Sequence, residues 1–142
     1  MLDEKKYEKM LQEAQAAHEE AEQGVEAKRD TYLAAKSRLD ELEAELSQAR
    51  AAIRAYEDVN DPDGAEISLE TFRAANETVR ELAPLVGRQQ KKVSSLSNEW
   101  AQASKSARSH ARAALLNFRN EFDRDAKAAI APLDEKFSAL VK

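Results

Sequence analysis

The chain is predicted to be all-α: a long antiparallel two-helix coiled-coil hairpin, kinked near Pro84 and followed by a short C-terminal helix. Three observations predict it. Gly and Pro together supply six of 142 residues, too few for the turns of a β-sandwich. Residues 4–56 contain no Pro and one Gly. Apolar and small residues recur on a seven-residue lattice along both halves of the chain.

Helix one is expected over about residues 3–57. One row of its lattice is Glu4, Leu11, His18, Val25, Tyr32, Leu39, Leu46 and Ile53. The other is Tyr7, Ala14, Ala21, Lys28, Ala35, Leu42, Ala49 and Tyr56. Glu22, Arg29, Lys36, Arg38, Glu43, Glu45 and Arg50 lie between the rows, as on a solvated flank. A helix of this extent is about 80 Å long.

Residues 58–67 read as a turn, because Pro62 removes a donor and Gly64 tolerates positive φ. Helix two then starts at Ser68, a capping residue, with Glu70 in the first turn and Ile67 placed to staple onto Phe72. Its lattice runs Phe72, Val79, Val86, Val93, Trp100, Ala107, Ala114, with Ala75, Leu82, Gln89, Leu96, Ala103 and His110 between. After Ala107 the spacing slips toward Ala111, Leu115, Phe118 and Phe122. Helix two is expected over about 68–130 with an interruption near 84–87, since Pro in a helix interior costs ~3 kcal/mol. Pro132 is expected to open a separate helix over about 132–141, Pro being favoured at the first helical position. The whole is read as one helical-hairpin domain, residues 1–142.

A short connection makes consecutive helices antiparallel neighbours, so facing residue numbers should add to roughly 126. That register sets Ala14, Ala17 and Ala21 near Ala103, Ala107 and Ala111, and Gly24 beside Trp100. It also sets Glu13, Glu19, Glu20, Glu22 and Glu26 against Lys105, Arg108 and Arg112. The charge is divided accordingly. Residues 1–70 carry 9 Lys and Arg and 19 Asp and Glu, whereas residues 71–142 carry 13 and 8. Arg88, Lys91, Lys92, Lys105, Arg108, Arg112 and Arg119 face a single acid, Glu99, within residues 88–119. An acidic arm tethered beside a basic arm is expected to pair with it; contact of the basic arm with nucleic acid is the weaker reading.

Chemistry-bearing motifs are scarce. Cys is absent, which excludes disulfides, thiolate zinc sites and Cys nucleophiles and suits a reducing, cytoplasmic setting. No apolar run suffices for a membrane span. No apolar segment follows the charged opening residues, so no signal peptide is expected. His18 and His110 fall on the lattice and are read as a polar layer fixing register rather than as metal ligands. Asn60, Asp61, Asp63, Gly64 and Glu70 resemble a calcium loop. The frame fails, because Val59 occupies the position of the first ligand. Ser94, Ser95, Ser97, Ser104, Ser106 and Ser109 stand in no nucleophile motif, and no Gly-rich phosphate loop occurs. No catalytic, cofactor-binding or metal residue is assigned.

The densest apolar region lies near the C-terminus, and Leu115, Phe118, Phe122, Ile130, Leu133, Phe137 and Leu140 are taken as a protein interface. By the hairpin register, residues after about 124 have no partner in helix one. The expected function is therefore non-enzymatic: a coiled-coil interaction, adaptor or assembly protein that binds a protein partner, with a homodimer as one form. The alternative is an inhibitor or modulator of a nucleic-acid-processing complex, phage-encoded for instance. It would act through an acidic DNA-mimicking face or through Arg88, Lys91, Lys92, Lys105, Arg108 and Arg112.

Overall fold

The computed structural model describes residues 2–58 and 68–141. They form two helices, α1 (Glu4–Glu57) and α2 (Leu69–Val141), packed against each other, with no strand among the described residues. The all-α expectation is thus met. Each helix starts at a side-chain cap. The Lys6 N–H donates to Asp3 Oδ1 at 3.3 Å, and the Thr71 N–H donates to Ser68 Oγ at 3.2 Å. The staple from Ile67 and most of the turn, including the calcium-like residues 60–64, lie outside the described residues.

Two expectations about α2 are corrected. Pro84 and Gly87 do not interrupt it, and Pro132 does not begin a new helix; one helix runs from Leu69 to Val141. The prolines sit where their cost is least. Pro84 and Pro132 are exposed, as are Arg80 and Ala128, whose carbonyls lose their intrahelical donor. Water can reach those carbonyls, and proline's fixed φ already suits a helix.

The chain divides into two compact units, each containing a piece of both helices. The inner unit is Lys28–Trp100. Its core is Leu42, Leu46 and Val86, with Leu39, Val79 and Leu82 packed around them. Ala35, Ala49 and Ala75 are also buried. Contacts run antiparallel: Tyr56 stacks on Phe72 at 4.3 Å, and Tyr32 stacks on Trp100 at 5.5 Å. Between them Gln89 Nε2 donates to the Ala35 carbonyl at 2.9 Å, so a polar residue on the inward row is satisfied by backbone. Trp100 therefore rests on Tyr32. A Cβ built on Gly24 would meet nothing within 4 Å, so no ring presses on that glycine.

The terminal unit is Met1–Ala27 with Ala101–Lys142. Among its described residues Tyr7 is the buried one, 8% exposed, and meets Phe118 and Phe122 edge-on at 5.7 and 5.5 Å. On α2 the inward row is Ala107, Ala111, Ala114, Phe118, Glu121 and Asp125, all half-buried. The row skips His110, because two steps of four residues occur in succession at Ala107 and Ala111. The histidine layer is consequently not formed. His110 is exposed, and His18 turns along its own helix to Glu22, with Nε2 to Oε1 at 3.0 Å.

The inner core is thin, so each large side chain in it matters. Leu42, 4% exposed, sits at its centre. Leu42→Ala is expected to lower stability by about 2–3 kcal/mol in urea titration. Leu33→Ala, at a half-exposed position on the same helix, is expected to change it by less than about 0.5 kcal/mol.

Candidate interaction surface

Charge does not pair as the sequence register predicts. Among the described residues, none of Lys105, Arg108 and Arg112 has a carboxylate within 4.0 Å, and the same holds for Arg88, Lys91, Lys92 and Arg119. Ion pairs between the helices run in the opposite sense, from lysines of α1 to acids of α2. In the inner unit Lys28 meets Glu99 at 3.5 Å. In the terminal unit Lys6 meets Glu121 at 2.9 Å and Asp125 at 2.8 Å. The reason is position. Lys6 is half-buried beside the inward row and Lys28 lies on the lattice row itself, whereas these seven basic residues of α2 are all exposed.

A polar cluster joins α1 to α2 in the terminal unit. The Tyr7 hydroxyl and Lys6 both donate to Asp125 Oδ2. Arg124 lies 3.6 Å from Glu121 and 3.7 Å from Asp125. The hydrogen bonds from Lys6, then from Tyr7, hold the Asp125 carboxyl down to about 2. The same bonds raise the Lys6 ammonium and the Tyr7 phenol above their ordinary values. This arrangement fastens α2 to α1.

Beside it an open groove follows the helix pair. One stretch, about 590 Å³, is lined by His18, Glu22, Val25, Glu26, Ser104, Ala107, Arg108, Ala111 and Arg112. A second, about 220 Å³, shares His18 and Ala111 and adds Met10, Leu11, Ala14, Ala114, Leu115 and Phe118. The groove exists because alanines cannot fill the space between two helices. Glu22, Glu26, Arg108 and Arg112 share its rim, and among the described residues neither arginine has a carboxylate within 4.0 Å; Glu22 meets His18 instead.

The seven apolar residues singled out as an interface divide into two sets. Phe118 is half-buried against Tyr7, and Phe122 leans on the same ring while remaining 40% exposed. Leu115, Ile130, Leu133, Phe137 and Leu140 are exposed, from 50% at Ile130 to 85% at Leu140. Leu116 and Val141, which were not singled out, are exposed as well. The basic residues also divide: Arg88, Lys91 and Lys92 belong to the inner unit, and Lys105, Arg108, Arg112 and Arg119 to the terminal one. Sequence reasoning missed the Tyr7–Lys6–Asp125 cluster. Its signal was present, since Lys6 with Glu121 and Tyr7 with Phe118 both satisfy the hairpin register.

Among the described residues no three His, Asp or Glu side chains gather as metal ligands, and no helix is long and apolar enough to cross a membrane. Comparison of the chain with protein-family models, with curated proteins and with solved structures gives no match.

The polar cluster makes the terminal unit sensitive to pH on both sides. Asp125 has a lowered pKa, so its stabilising effect is complete above the ordinary carboxylate value of about 4 and is lost as pH falls toward about 2. Lys6 and Tyr7 have raised values, so their effect is complete below about 10 and is lost as pH rises further. Thermal unfolding of wild type and Asp125→Asn across pH is expected to show a gap that is constant near neutrality. That gap should close between about pH 4 and pH 2.

Proposed function

We propose that this chain is a non-enzymatic interaction protein, an adaptor or assembly component, that engages a protein partner through α2. The observation that carries the reading is the distribution of exposed apolar side chains. Among the described residues, eight of the thirteen large exposed hydrophobic side chains lie within residues 115–141. Surface apolar residues scattered singly are ordinary, whereas a concentrated patch marks a binding surface. In this reading the helix pair is a coiled coil that bends near Pro84. The spacing of Ala35, Leu42 and Ala49, with Leu39 and Leu46 between them, supports the coiled coil.

Leu133→Asp with Phe137→Asp is the direct test. Both sites are exposed, so helix content by circular dichroism is expected to stay unchanged. Capture of the partner from the native host is expected to fall at least tenfold. Undiminished capture by the double variant refutes the role of this face.

One observation favours a second reading, modulation of a nucleic-acid-processing complex. Lys105, Arg108, Arg112 and Arg119 are exposed on one helix, and none has an ion-pair partner among the described residues. Four phosphate contacts on duplex DNA give a log–log salt slope of about −3.6. Titration of a fluorescent duplex at several salt concentrations measures it. Lys105→Glu with Arg108→Glu should flatten the slope, and binding that ignores salt rejects this reading.

A further inference from the structure

Three cavities run in line along one side of the terminal unit. The first, about 810 Å³, opens at the start of α1 between Leu2, Glu4, Glu8, Leu11 and the rings of Phe118 and Phe122. It shares Leu11 and Phe118 with the cavity of about 220 Å³, which in turn shares His18 and Ala111 with the one of about 590 Å³. Common walls make them one groove, running from Leu2 to Glu26 on α1 and from Phe122 back to Ser104 on α2. Between Glu4 and Glu26 it follows about 33 Å of helix.

Shape and charge both bear on what fits it. Ala14, Ala107, Ala111 and Ala114 form the floor, and Leu11 and Leu115 stand beside it 51% and 68% exposed. A straight apolar groove between two rods has the form that a third rod fills. An extended peptide would find no backbone partner there, because both walls are helices whose amide groups bond within themselves. A small ligand would stay largely uncovered in so open a channel. The two walls carry opposite charge. Glu4, Glu8, Glu22 and Glu26 line the α1 side together with Lys5, and Arg108 and Arg112 line the α2 side. Among the described residues Glu4, Glu8, Glu26, Arg108 and Arg112 have no ion-pair partner, and Glu22 meets only His18.

We propose that the groove receives one amphipathic helix of a different protein. That helix turns a stripe of apolar residues to the alanine floor. Lysine or arginine follows its flank over the glutamates of α1, and aspartate or glutamate lies on its other flank over Arg108 and Arg112. Because the flanks differ, reversing the helix sets like charges together along both walls, so the charge order also fixes its direction. A third helix widens the seam and gives Leu11 and Leu115 the neighbours that two helices do not supply. This rests on the reading of the chain as an interaction protein and names the kind of partner. The surface needs α1 as much as α2 and lies apart from Leu133 and Phe137.

The probes are three synthetic helical peptides that share one apolar stripe and differ in their flanks. One has lysine on one flank and glutamate on the other, one has lysine on both, and one has glutamate on both. Fluorescence anisotropy against the full chain is expected to rank the mixed peptide first, about fivefold tighter than the all-lysine one, with the all-glutamate one last. Arg108→Glu with Arg112→Glu, at exposed sites, is expected to reverse the first two. Leu11→Asp with Leu115→Asp is expected to abolish binding of all three with helix content by circular dichroism unchanged. Equal binding of the peptides, no binding of the mixed one, or a ranking that the arginine variant leaves unaltered overturns the proposal. So does a dimer of the full chain that the arginine variant dissolves in sedimentation, since a second copy then fills the groove. Leu133→Asp with Phe137→Asp is expected to leave peptide binding intact; loss of binding there puts the site on the C-terminal face and overturns the groove. If the peptides fail to bind while partner capture still depends on Leu133 and Phe137, the groove is excluded and the interface reading stands.

Discussion

Two helices lying side by side can bury only one stripe each. That geometric limit governs the rest of the molecule. A helix needs an apolar face of about 100° or more to sit in a globular core, whereas a two-helix contact covers a narrower seam. The buried set is accordingly short, and its largest members are Tyr7, Leu42, Leu46 and Val86. No side chain among the described residues is fully buried. Stability therefore comes from repetition along the seam, with stacked or edge-on aromatic contacts at Tyr56–Phe72, Tyr32–Trp100 and Tyr7–Phe118.

The same limit explains the polar contacts. A narrow seam leaves its flanks half-exposed, so charged residues there can pair across the helices without full desolvation. Lys6 with Asp125 and Lys28 with Glu99 occupy such positions. Basic residues one step further round the helix, Arg108 and Arg112, face solvent instead. They form the rim of a groove whose alanine floor leaves room for another element. The groove is open to solvent, and the charged side chains Glu22, Glu26, Arg108 and Arg112 line it together with His18.

Much of this was legible in the residues. The lattice through Ala35, Leu42 and Ala49 located the inward face of α1, and Ser68 located the start of α2. The apolar C-terminal residues were recognisable as exposed because the hairpin register gave them no partner. Less legible were the prolines. Propensity treats Pro84 and Pro132 as breaks, yet a helix tolerates them where the released carbonyl meets water. The histidines misled for a related reason. His110 sits on a strict heptad, but the inward row shifts at Ala107, and one altered step moves every later residue to a neighbouring position.

The sequence by itself determined the helical class, the antiparallel sense and the identity of the inward residues through most of both helices. Those follow from periodicity and from a short connection, which are local properties of the chain. Only the tertiary structure decided which charges meet. Pairing depends on the angular position of each side chain around its helix, within a few ångströms, and a count of acids and bases carries no such information. Hence the acidic and basic arms, opposite in composition, exchange ion pairs only through a few residues at the edge of the seam among the described residues, and the remaining charge is left for solvent or a partner.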